Sequence, residues 1–341
     1  MKAALVKKRN KIKMVDIPVR KPEDREVLIR VDACGFCGSD YIEALSWARN
    51  WKRFGHEIAG TVVATGSDVI DISVEDKVVV ALSVACGECV ACIAGNPRKC
   101  TSPIIAEQGG FAEFLLIKDY KLLVKVKKEI PAEMACLSEP LSVVLDAFHL
   151  TALCKDDNLL VVGGGNIGNL AVLAALALNV NVIGILSRNI HEDILKYIKK
   201  TGGDHFPWRT IAGYTLSAPL SLRDRLSDVP GRIVVLHTAP VSCIPRYIDT
   251  LPYDSTIVNI GLSASPLQNR VLLNASKMIF KRIQFMNAFP VPCIYMDEAV
   301  NLIQDNSSQF SHLPITRYFL DQLPSLFQLP RSLGKVIICN Q

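Results

Sequence analysis

The stretch Val161-Val162-Gly163-Gly164-Gly165-Asn166-Ile167-Gly168 decides the fold of this chain. It places the pattern G-x-G-x-x-G directly after an apolar strand and before a run with helical spacing. In that context, glycines let the backbone approach a pyrophosphate at the N-terminus of a helix. The pattern therefore predicts a dinucleotide-binding unit, and a glycine-rich turn without a ligand is the alternative. The predicted cofactor-binding residues of this loop are Gly163, Gly165, Asn166, Ile167 and Gly168.

The residues after the glycine loop bear on the choice between NAD and NADP. An NAD enzyme is expected to carry Asp or Glu about twenty residues after the last glycine, where it binds the ribose hydroxyl. Here Ser187 and Arg188 occupy that place, at the end of the second predicted strand. A hydroxyl and a guanidinium group suit a 2′-phosphate, so we predict that NADP is preferred. The alternative is that Arg188 is a solvated side chain that opens the next helix.

Strand and helix patterns alternate on the C-terminal side of the loop. Apolar strands are predicted at residues 158–162, 232–236 and 255–260, with helical patterns between them. This alternation is typical of a parallel sheet with helices on both faces. We therefore predict an α/β protein whose Rossmann dinucleotide-binding domain spans residues 141–283.

The N-terminal part of the chain has a different sequence pattern. Short runs of β-branched residues are bounded there by turn residues, as at residues 27–31 and 60–66. Such runs indicate a β-rich domain. After about residue 284, helical and strand patterns mix again. We assign residues 1–140, completed by residues 284–341, to a β-rich catalytic domain.

Four cysteines, Cys86, Cys89, Cys92 and Cys100, follow the spacing C-x2-C-x2-C-x7-C. Four thiolates this close in sequence can enclose one tetrahedral zinc ion, and a complete sulfur shell leaves no open position for a substrate. The spacing therefore predicts a structural zinc site. Four unrelated free thiols and a nucleic-acid-binding zinc ribbon are the alternatives. No basic or aromatic platform surrounds the cysteines, which argues against the ribbon.

A second set of metal-ligating residue types is spread along the chain. Cys37 lies in Cys37-Gly38-Ser39-Asp40, His56 precedes Glu57, and Glu139 lies in Glu139-Pro140-Leu141-Ser142. A thiolate, an imidazole and a carboxylate supply three ligands and leave a fourth position open, which distinguishes a catalytic zinc from a structural one. Singly, each residue has a simpler interpretation as a buried thiol, a core histidine or a helix-start carboxylate. Their combination with the four cysteines favours a metal centre.

Together these motifs resemble the zinc-containing medium-chain dehydrogenases, which include alcohol, sorbitol and threonine dehydrogenases. Gly109-Gly110-Phe111-Ala112-Glu113 adds to the resemblance, which covers nearly the whole chain. It implies a GroES-like catalytic domain and a catalytic zinc held by Cys37, His56 and Glu139, with Glu57 as an alternate or water-mediated ligand. It also implies that Ser39 relays the substrate proton and that the protein is a homodimer or homotetramer. With glutamate as its predicted third ligand, the chain resembles the sorbitol dehydrogenase branch of the family.

The segment between Asp40 and Gly55 departs from the family pattern. Ile42 stands where relatives often carry a histidine, which leaves the proton route beyond Ser39 open. Glu43 stands where sorbitol dehydrogenases have a substrate-contacting tyrosine. A carboxylate there suits an amino group or sugar hydroxyls, and a solvated helix face is the alternative.

Composition excludes several classes of protein. The 341 residues are half hydrophobic and carry a net charge of +5, with no basic run that would indicate a nucleic-acid partner. The apolar region 158–186 contains five glycines and five asparagines, which argues against a membrane span. The N-terminus has no export signal, so we expect a cytoplasmic protein. In that compartment we expect its eleven cysteines to bind metal or take part in chemistry rather than to form disulfides.

These features predict a zinc-dependent oxidoreductase that transfers hydride between a nicotinamide cofactor and a secondary alcohol or ketone. Zinc lowers the pKa of a hydroxyl group, which permits an alkoxide near neutral pH. The expected substrate is a small polyol, cyclitol, amino-cyclitol or sugar-like molecule, with two zinc ions per chain. The alternatives are a reductase of simple ketones or aldehydes, a non-catalytic zinc-stabilised binding protein and, least favoured, a zinc-free quinone reductase.

Overall fold

The structure of the chain, a computed structural model, describes residues 1–211, 214–328 and 334–340. The chain divides into two compact units. The first comprises Met1–Ser142, Pro290–Ser307 and Ile315–Gln341, and the second comprises Val143–Phe289 and Ser308–Pro314. Each unit has its own sheet and its own hydrophobic core.

The N-terminal part of the first unit consists mainly of short strands. They are β1 (Lys2–Lys7), β2 (Lys11–Asp16), β3 (Val27–Gly35), β4 (Lys52–Arg53), β5 (Glu57–Thr65), β6 (Lys77–Val80), β7 (Ser83–Val84), β8 (Ile104–Ile105), β9 (Phe114–Ile117) and β10 (Leu123–Lys125). The helices are α1 (Gly38–Ile42), α2 (Val90–Ile93), α3 (Ala132–Ala135) and α4 (Ser138–Leu150), with a π-helix at Glu43–Trp47 and 3-10 turns at Pro97–Lys99 and Tyr120–Leu122.

In the following part of the chain, strands and helices alternate. The strands are β11 (Asn158–Val162), β12 (Asn181–Ser187), β13 (Asp204–Pro207), β14 (Arg209–Ile211), β15 (Tyr214–Ser217), β16 (Ile233–His237), β17 (Thr256–Asn259) and β18 (Gln284–Asn287). The helices are α5 (Asn166–Ala177), α6 (Glu192–Lys200), α7 (Leu220–Ser227) and α8 (Ala275–Lys281), with 3-10 turns at Val241–Arg246 and Ile248–Thr250.

The C-terminal part mixes helices and strands, as its sequence predicts. Its elements are α9 (Met296–Asp305), α10 (Ser307–Phe310), β19 (Ile315–Phe319), a 3-10 turn at Leu320–Gln322, α11 (Leu323–Leu326) and β20 (Lys335–Cys339).

The second unit is built on a six-stranded sheet in the order β13-β12-β11-β16-β17-β18, with every neighbouring pair parallel. Counted along the chain, this is the order 3-2-1-4-5-6 of the doubly wound dinucleotide fold. Strand β11 is buried at every position, as expected for a strand covered on both faces. The glycine loop follows β11, at the point where the strand order reverses, and ligands bind there in this fold. The predicted Rossmann-type fold is confirmed.

The first unit is centred on β3. This strand pairs with β5 on one side and with β9 and β20 on the other, all antiparallel. The sheet order is β10-β6-β5-β3-β20-β19, and β2-β1-β4 form a smaller sheet. A cluster of buried side chains fills the core, and the rings of Phe36 and Phe54 both pack against Phe111. The predicted β-rich architecture of this part of the chain is confirmed.

Across the described residues, none of the helices combines the length and the apolar character that crossing a bilayer requires.

Candidate metal centres and cofactor site

The strand pair β3–β5 places the first two predicted metal ligands at one end of the sheet. Its antiparallel register sets Gly35 opposite Glu57. Cys37 follows Gly35 by two residues, and His56 directly precedes Glu57, so both leave the sheet at the same end. The ligand atoms of Cys37, His56 and Glu57 all lie within 4.8 Å of one another. The structure thus brings these three side chains together.

The predicted third ligand, Glu139, lies outside that group of three. It is buried in the first turn of α4. Burial raises the pKa of its carboxyl group to about 7, and His56 and Glu57 both act on it electrostatically. Glu139 is therefore a neighbour of the cluster. Of the two carboxylates that the sequence singles out, Glu57 is the one grouped with both the thiol and the imidazole.

Asp40 also belongs to the site, although its motif alone gives no indication of a role. It is the third residue of α1, and its Oδ2 atom accepts a hydrogen bond of 2.8 Å from the backbone N–H of Cys37. Its Oδ1 atom lies 3.7 Å from Nδ1 of His56. Burial raises the pKa of Asp40 to about 6. The local signal for this role is the spacing of a capping box, in which the third helical residue bonds back to the N-cap.

Lys335 is a second residue that sequence reasoning missed. It opens β20, its side chain is 1% exposed, and its ammonium group forms an ion pair with the equally buried Glu57 carboxylate. Its Nζ atom also donates to the carbonyl oxygen of Phe36 at 3.3 Å. The sequence signal is a lysine at the start of an otherwise apolar strand, and that signal does not identify the partner.

The donor set of this cluster fits a zinc ion. Sulfur, imidazole nitrogen and carboxylate oxygen are the ligand atoms that zinc takes in catalytic sites. Burial alone would lower the pKa of His56, but Cys37, Asp40 and Glu139 raise it overall, which indicates an anionic environment suited to a cation. Oδ1 of Asp40 and Oε1 of Glu57 are also buried without a hydrogen-bond partner. Such atoms carry a desolvation cost that a bound cation would offset.

Ser39 and Glu43, the predicted proton relay and the predicted substrate contact, lie in adjacent helical segments. Ser39 lies in the first turn of α1, half-buried and two residues from Cys37. Glu43 begins the π-helix, and its carboxylate forms an ion pair of 3.2 Å with Lys52. The carboxylate for which the sequence predicts either a substrate contact or a solvated helix face therefore has a cationic partner in the same unit.

The four-cysteine group forms a compact sulfur cage. Sγ of Cys86 lies 3.5 Å from that of Cys100 and 4.0 Å from that of Cys92. The four sulfur atoms all lie within 4.8 Å of one another. A zinc–sulfur bond of about 2.3 Å gives a tetrahedron with edges of about 3.8 Å, close to these separations. Backbone hydrogen bonds from Thr101 and Cys92 lower the pKa of Cys89 to about 5, which favours the thiolate.

The segment that carries these cysteines has little core of its own. Helix α2 and the 3-10 turn after it contain no buried residue. Val90 and Ile93 are 86% and 76% exposed. With so little apolar burial, the segment depends on other interactions for its structure, and a metal bound by four thiolates would supply them.

The glycine loop has the geometry of a ligand cradle. Gly163 adopts φ +119°, which side chains other than glycine rarely accept. A Cβ atom at Gly165 would meet nothing within 4 Å, so the backbone there is open to close approach. Gly165 is the N-cap of α5, and Oδ1 of Asn166 is buried without a hydrogen-bond partner. These features fit a dinucleotide whose pyrophosphate lies at the start of α5.

The end of β12 presents only one of its two predicted phosphate-binding groups to solvent. Arg188 is exposed. Ser187 is 3% exposed, and its hydroxyl donates to the Asn189 carbonyl at 2.8 Å and lies 3.1 Å from Nε2 of His205. The hydroxyl group predicted to bind a 2′-phosphate is thus engaged inside the unit, and the exposed cation at this place is Arg188.

Comparison with known proteins gives three concordant findings. Residues 23–128 match the family described as the alcohol dehydrogenase GroES-like domain. An uncharacterised zinc-type alcohol dehydrogenase-like protein of Haemophilus influenzae is 34% identical over 95% of this chain and 93% of its own length. Sorbitol dehydrogenase of Bacillus subtilis is 32% identical over 94% of this chain and 91% of its own.

Solved structures show the same fold. Galactitol-1-phosphate dehydrogenase of Escherichia coli superposes with a TM-score of 0.81 at 21% identity, covering 99% of this chain and 100% of that one. Alcohol dehydrogenase TADH of Thermus sp. ATN1 gives a TM-score of 0.82 at 20% identity over the full length of both chains.

Proposed function

The chain belongs to the zinc-type alcohol dehydrogenases of the medium-chain family, and on that premise we propose that it oxidises a small polyol or sugar-like secondary alcohol to a ketone, reversibly. Cyclitols and amino-cyclitols belong to the same proposed substrate class. The proposed hydride acceptor is NADP in preference to NAD. Two named relatives, sorbitol dehydrogenase and galactitol 1-phosphate 5-dehydrogenase, act by name on polyols, which supports this class.

The observation that carries the proposal is the convergence of Cys37, His56 and Glu57 within 4.8 Å, with Glu139 buried beside them. Cys37, His56 and one of the two carboxylates would hold a catalytic zinc and leave one position open. When bound, zinc supplies a Lewis acid that polarises the substrate oxygen. The Cys86–Cys100 group would hold a second, structural zinc, because four thiolates leave no open position.

The other residues of the first unit would orient and move protons. Asp40 faces Nδ1 of His56 and leaves Nε2 as the nitrogen available to a metal. Its second oxygen holds the backbone at Cys37. The Ser39 hydroxyl, in the first turn of the same helix, would relay the proton that the substrate hydroxyl loses, accepting it while its own proton passes on towards solvent.

Arg188 is the residue on which the proposed NADP preference rests. It is exposed at the end of β12, and no carboxylate occupies that position or the one before it. Arg246 also supports the proposed NADP preference. Burial raises the pKa of the Cys243 thiol, and the positive charges of Arg246 and Arg188 both act to lower it. Both guanidinium groups thus act electrostatically on one thiol of the second unit, and their positive charge would favour a 2′-phosphate.

We also propose that the protein is a homodimer or homotetramer. Several large apolar side chains of the second unit are exposed, and association of two chains would bury such side chains. They are Leu267, Leu272, Ile279, Phe280 and Phe289. Light scattering coupled to size exclusion measures the state, and a monomer at micromolar concentration would contradict the proposal.

The experiment that tests the proposed function combines metal analysis with a substrate screen. Purified protein is expected to contain two zinc ions per chain, and Cys37→Ser is expected to contain one. Polyols, amino-cyclitols and simple secondary alcohols are then offered with NADP and with NAD, and nicotinamide absorbance is followed. Turnover of polyols that Cys37→Ser abolishes supports the proposal. Faster turnover of small unfunctionalised alcohols contradicts the substrate class, and one zinc per chain without turnover contradicts the enzyme.

A further inference from the structure

Two segments of the first unit, residues 7–13 and residues 44–53, together form a strongly basic surface. They contain eight lysines and arginines and no aspartate or glutamate. The whole chain has a net charge of +5, so the residues outside these segments carry a net charge of −3. The positive charge of the protein is thus concentrated in this small part of the chain, where it attracts anions. The eight cations of the basic surface are Lys7, Lys8, Arg9, Lys11, Lys13, Arg49, Lys52 and Arg53.

The fold joins the two segments into one continuous surface. The first segment forms the hairpin between β1 and β2, and the second covers most of the π-helix and all of β4. The backbone N–H of Lys8 donates to the carbonyl oxygen of Ala48 at 2.7 Å. Strand β4 pairs with β1, and Nζ of Lys13 lies 4.5 Å from the centre of the Trp51 ring. Cations and aromatic side chains that are about forty residues apart in the sequence are therefore neighbours on this surface.

Most of the positive charge on the basic surface is uncompensated. Two of its cations form ion pairs, one with Glu43 and one with Glu107. Within the part of the chain that the structure describes, the other six have no carboxylate at ion-pair distance. Lys7 and Lys11 even stand directly opposite each other in the β1–β2 register, and like charges in that arrangement destabilise a sheet. A bound polyanion would relieve this repulsion.

The tip of the hairpin holds another cation at a cost. Arg9 adopts φ +70°, in the left-handed region that favours glycine and asparagine. Its side chain is exposed to solvent. The local backbone thus carries a steric cost that no internal contact of the guanidinium group offsets among the described residues, and such cost is commonly found where a side chain serves binding.

Large apolar side chains are exposed among these cations. Leu45, Trp47 and Trp51 are 45%, 55% and 38% exposed. Leu45 and Trp47 belong to the π-helix, a rare element that frequently occurs at functional sites. The Leu45 carbonyl accepts the backbone N–H of Arg9 at 3.4 Å, which places this apolar group beside the hairpin tip. Tryptophan and leucine next to lysine and arginine are typical of surfaces that lie in the headgroup region of a membrane.

Between the two common polyanions, a lipid surface fits these side chains better than a nucleic acid does. An aliphatic side chain such as Leu45 gains free energy when it leaves water for the boundary of the acyl chains. A nucleic acid would instead stack its bases on aromatic rings. Lys13 already covers one face of the Trp51 ring, which leaves less of that ring for a base.

We propose that the basic surface docks the protein reversibly on a bilayer that contains anionic lipids. Trp47 and Leu45 lie at the level of the headgroups, and the surrounding lysines and arginines bind the lipid phosphates and carboxylates. The inference goes beyond the proposed function and does not depend on it, since no residue of the candidate zinc or cofactor sites takes part.

The first test measures co-sedimentation of the full chain with lipid vesicles. Vesicles of phosphatidylcholine with about 30% phosphatidylserine are compared with vesicles of phosphatidylcholine alone. We expect binding to the anionic vesicles only, and weaker binding as salt rises from about 0.1 M to about 1 M. Lys11→Gln/Lys13→Gln is expected to lower the partition coefficient about 25-fold, or about fivefold for each charge. Lys199→Gln/Lys200→Gln, which removes two exposed lysines from α6, is the matched control and should bind as wild type does.

A second test reports the position of the tryptophans. The third tryptophan of the chain, Trp208, is 9% exposed and belongs to the core of the second unit. Anionic vesicles are expected to shift the fluorescence of the wild type to shorter wavelength, and brominated acyl chains are expected to quench it. Trp47→Phe/Trp51→Phe retains only Trp208 and should show neither change.

Several results would overturn the proposal. Equal binding to both kinds of vesicle, or an equal loss of binding in the α6 variant, would mean that this surface is not what binds. Sedimentation without quenching would reduce the contact to ionic adsorption and contradict docking through Trp47. Displacement from the vesicles by a single-stranded oligonucleotide, at an equal concentration of anionic charge, would assign the surface to nucleic acid. Circular dichroism verifies folding, and Lys8→Gln/Arg49→Gln, with the same expected loss, replaces the lysine variant if that variant does not fold.

Discussion

Oδ1 of Asp40 lies 3.7 Å from Nδ1 of His56, and both side chains are buried. The other oxygen of the same carboxylate accepts the backbone N–H of Cys37. One acidic side chain therefore orients two residues of the candidate metal centre, the imidazole directly and the thiol through its backbone. In metal sites, such outer partners fix the ring orientation of histidine and raise its strength as a ligand.

Replacing Asp40 with asparagine is expected to weaken binding of the catalytic zinc by a factor of about 10 to 100, because the imidazole loses its anionic partner. Competition with a chelator measures this affinity while the four-cysteine site serves as an internal reference. Asp16→Asn, on an exposed position of β2, is the control. Wild-type zinc affinity in Asp40→Asn would refute the orienting role.

Replacing Cys89 with serine is expected to destabilise the segment around the four cysteines rather than the chemistry. This segment buries few side chains of its own, so loss of a thiolate ligand should open it to proteases. Limited proteolysis followed by mass spectrometry locates the cleavage, which we expect within residues 86–105. Cys37→Ser provides the contrast, because it should abolish turnover and keep the protease resistance of the wild type. Cleavage elsewhere, or none, would count against a structural zinc.

Replacing Arg188 with alanine is expected to lower kcat/KM for NADP by a factor of about 10 to 100, since a charge-assisted hydrogen bond contributes about 1.5–3 kcal/mol. The value for NAD should change by less than about twofold, because NAD has no 2′-phosphate. Steady-state kinetics with both cofactors measures the ratio. A wild-type preference for NAD, or an equal loss with both cofactors, would contradict the assignment of Arg188.

His237 gives the second unit a pH-dependent stability. It is fully buried, its Nε2 atom lies 3.1 Å from the Pro240 carbonyl, and Nδ1 lies 3.1 Å from the Tyr247 hydroxyl. Since the carbonyl can only accept, Nε2 carries the proton and Nδ1 accepts from the tyrosine. Burial lowers the pKa of His237 to about 4, from 6.5 in the unfolded chain. The unfolded chain therefore takes up the proton first as the pH falls.

Stability is accordingly expected to fall by about 3 kcal/mol between pH 6.5 and pH 4, with no contribution from His237 above that window. Urea unfolding at a series of pH values, followed by the fluorescence of the protein, measures it. His237→Gln keeps an acceptor for Tyr247 and should flatten this part of the profile, while the exposed His149→Gln is the matched control. An unchanged slope in His237→Gln would show that other groups govern acid sensitivity.

Local patterns predicted the fold well because they are set by neighbours in the chain. Glycine is required at Gly163 by a φ of +119°, and at Gly168 because a Cβ atom there would lie 2.0 Å from the Gly163 carbonyl oxygen; both are consequences of a strand turning directly into a helix. The alternation of strands and helices fixes a parallel sheet because parallel strands need crossovers. The four cysteines form one cage because short spacings keep their sulfur atoms close.

The partners of the polar residues could not be predicted in the same way. Ser187 was expected to face a phosphate, but the neighbouring strand β13 brings His205 to its hydroxyl. For Glu43 the sequence left a substrate contact and a solvated helix face open, and in the structure its carboxylate pairs with Lys52. Both contacts involve residues that are distant in the sequence, so no local pattern could predict them.

The sequence by itself predicted the four-cysteine motif, the dinucleotide loop and the α/β architecture, because each consists of residues close together in the chain or of a regular period. Cys37, His56 and Glu139 are far apart in the sequence, and only their combination with the other motifs predicted a second metal site. Only the tertiary structure decided how the carboxylates around the candidate catalytic zinc are arranged. The register that sets Gly35 opposite Glu57 brings Glu57 to the thiol and the imidazole, and β20 carries Lys335 to the same place from the far end of the chain. The contact between Glu57 and Lys335 depends on strand register, which no local sequence pattern determines.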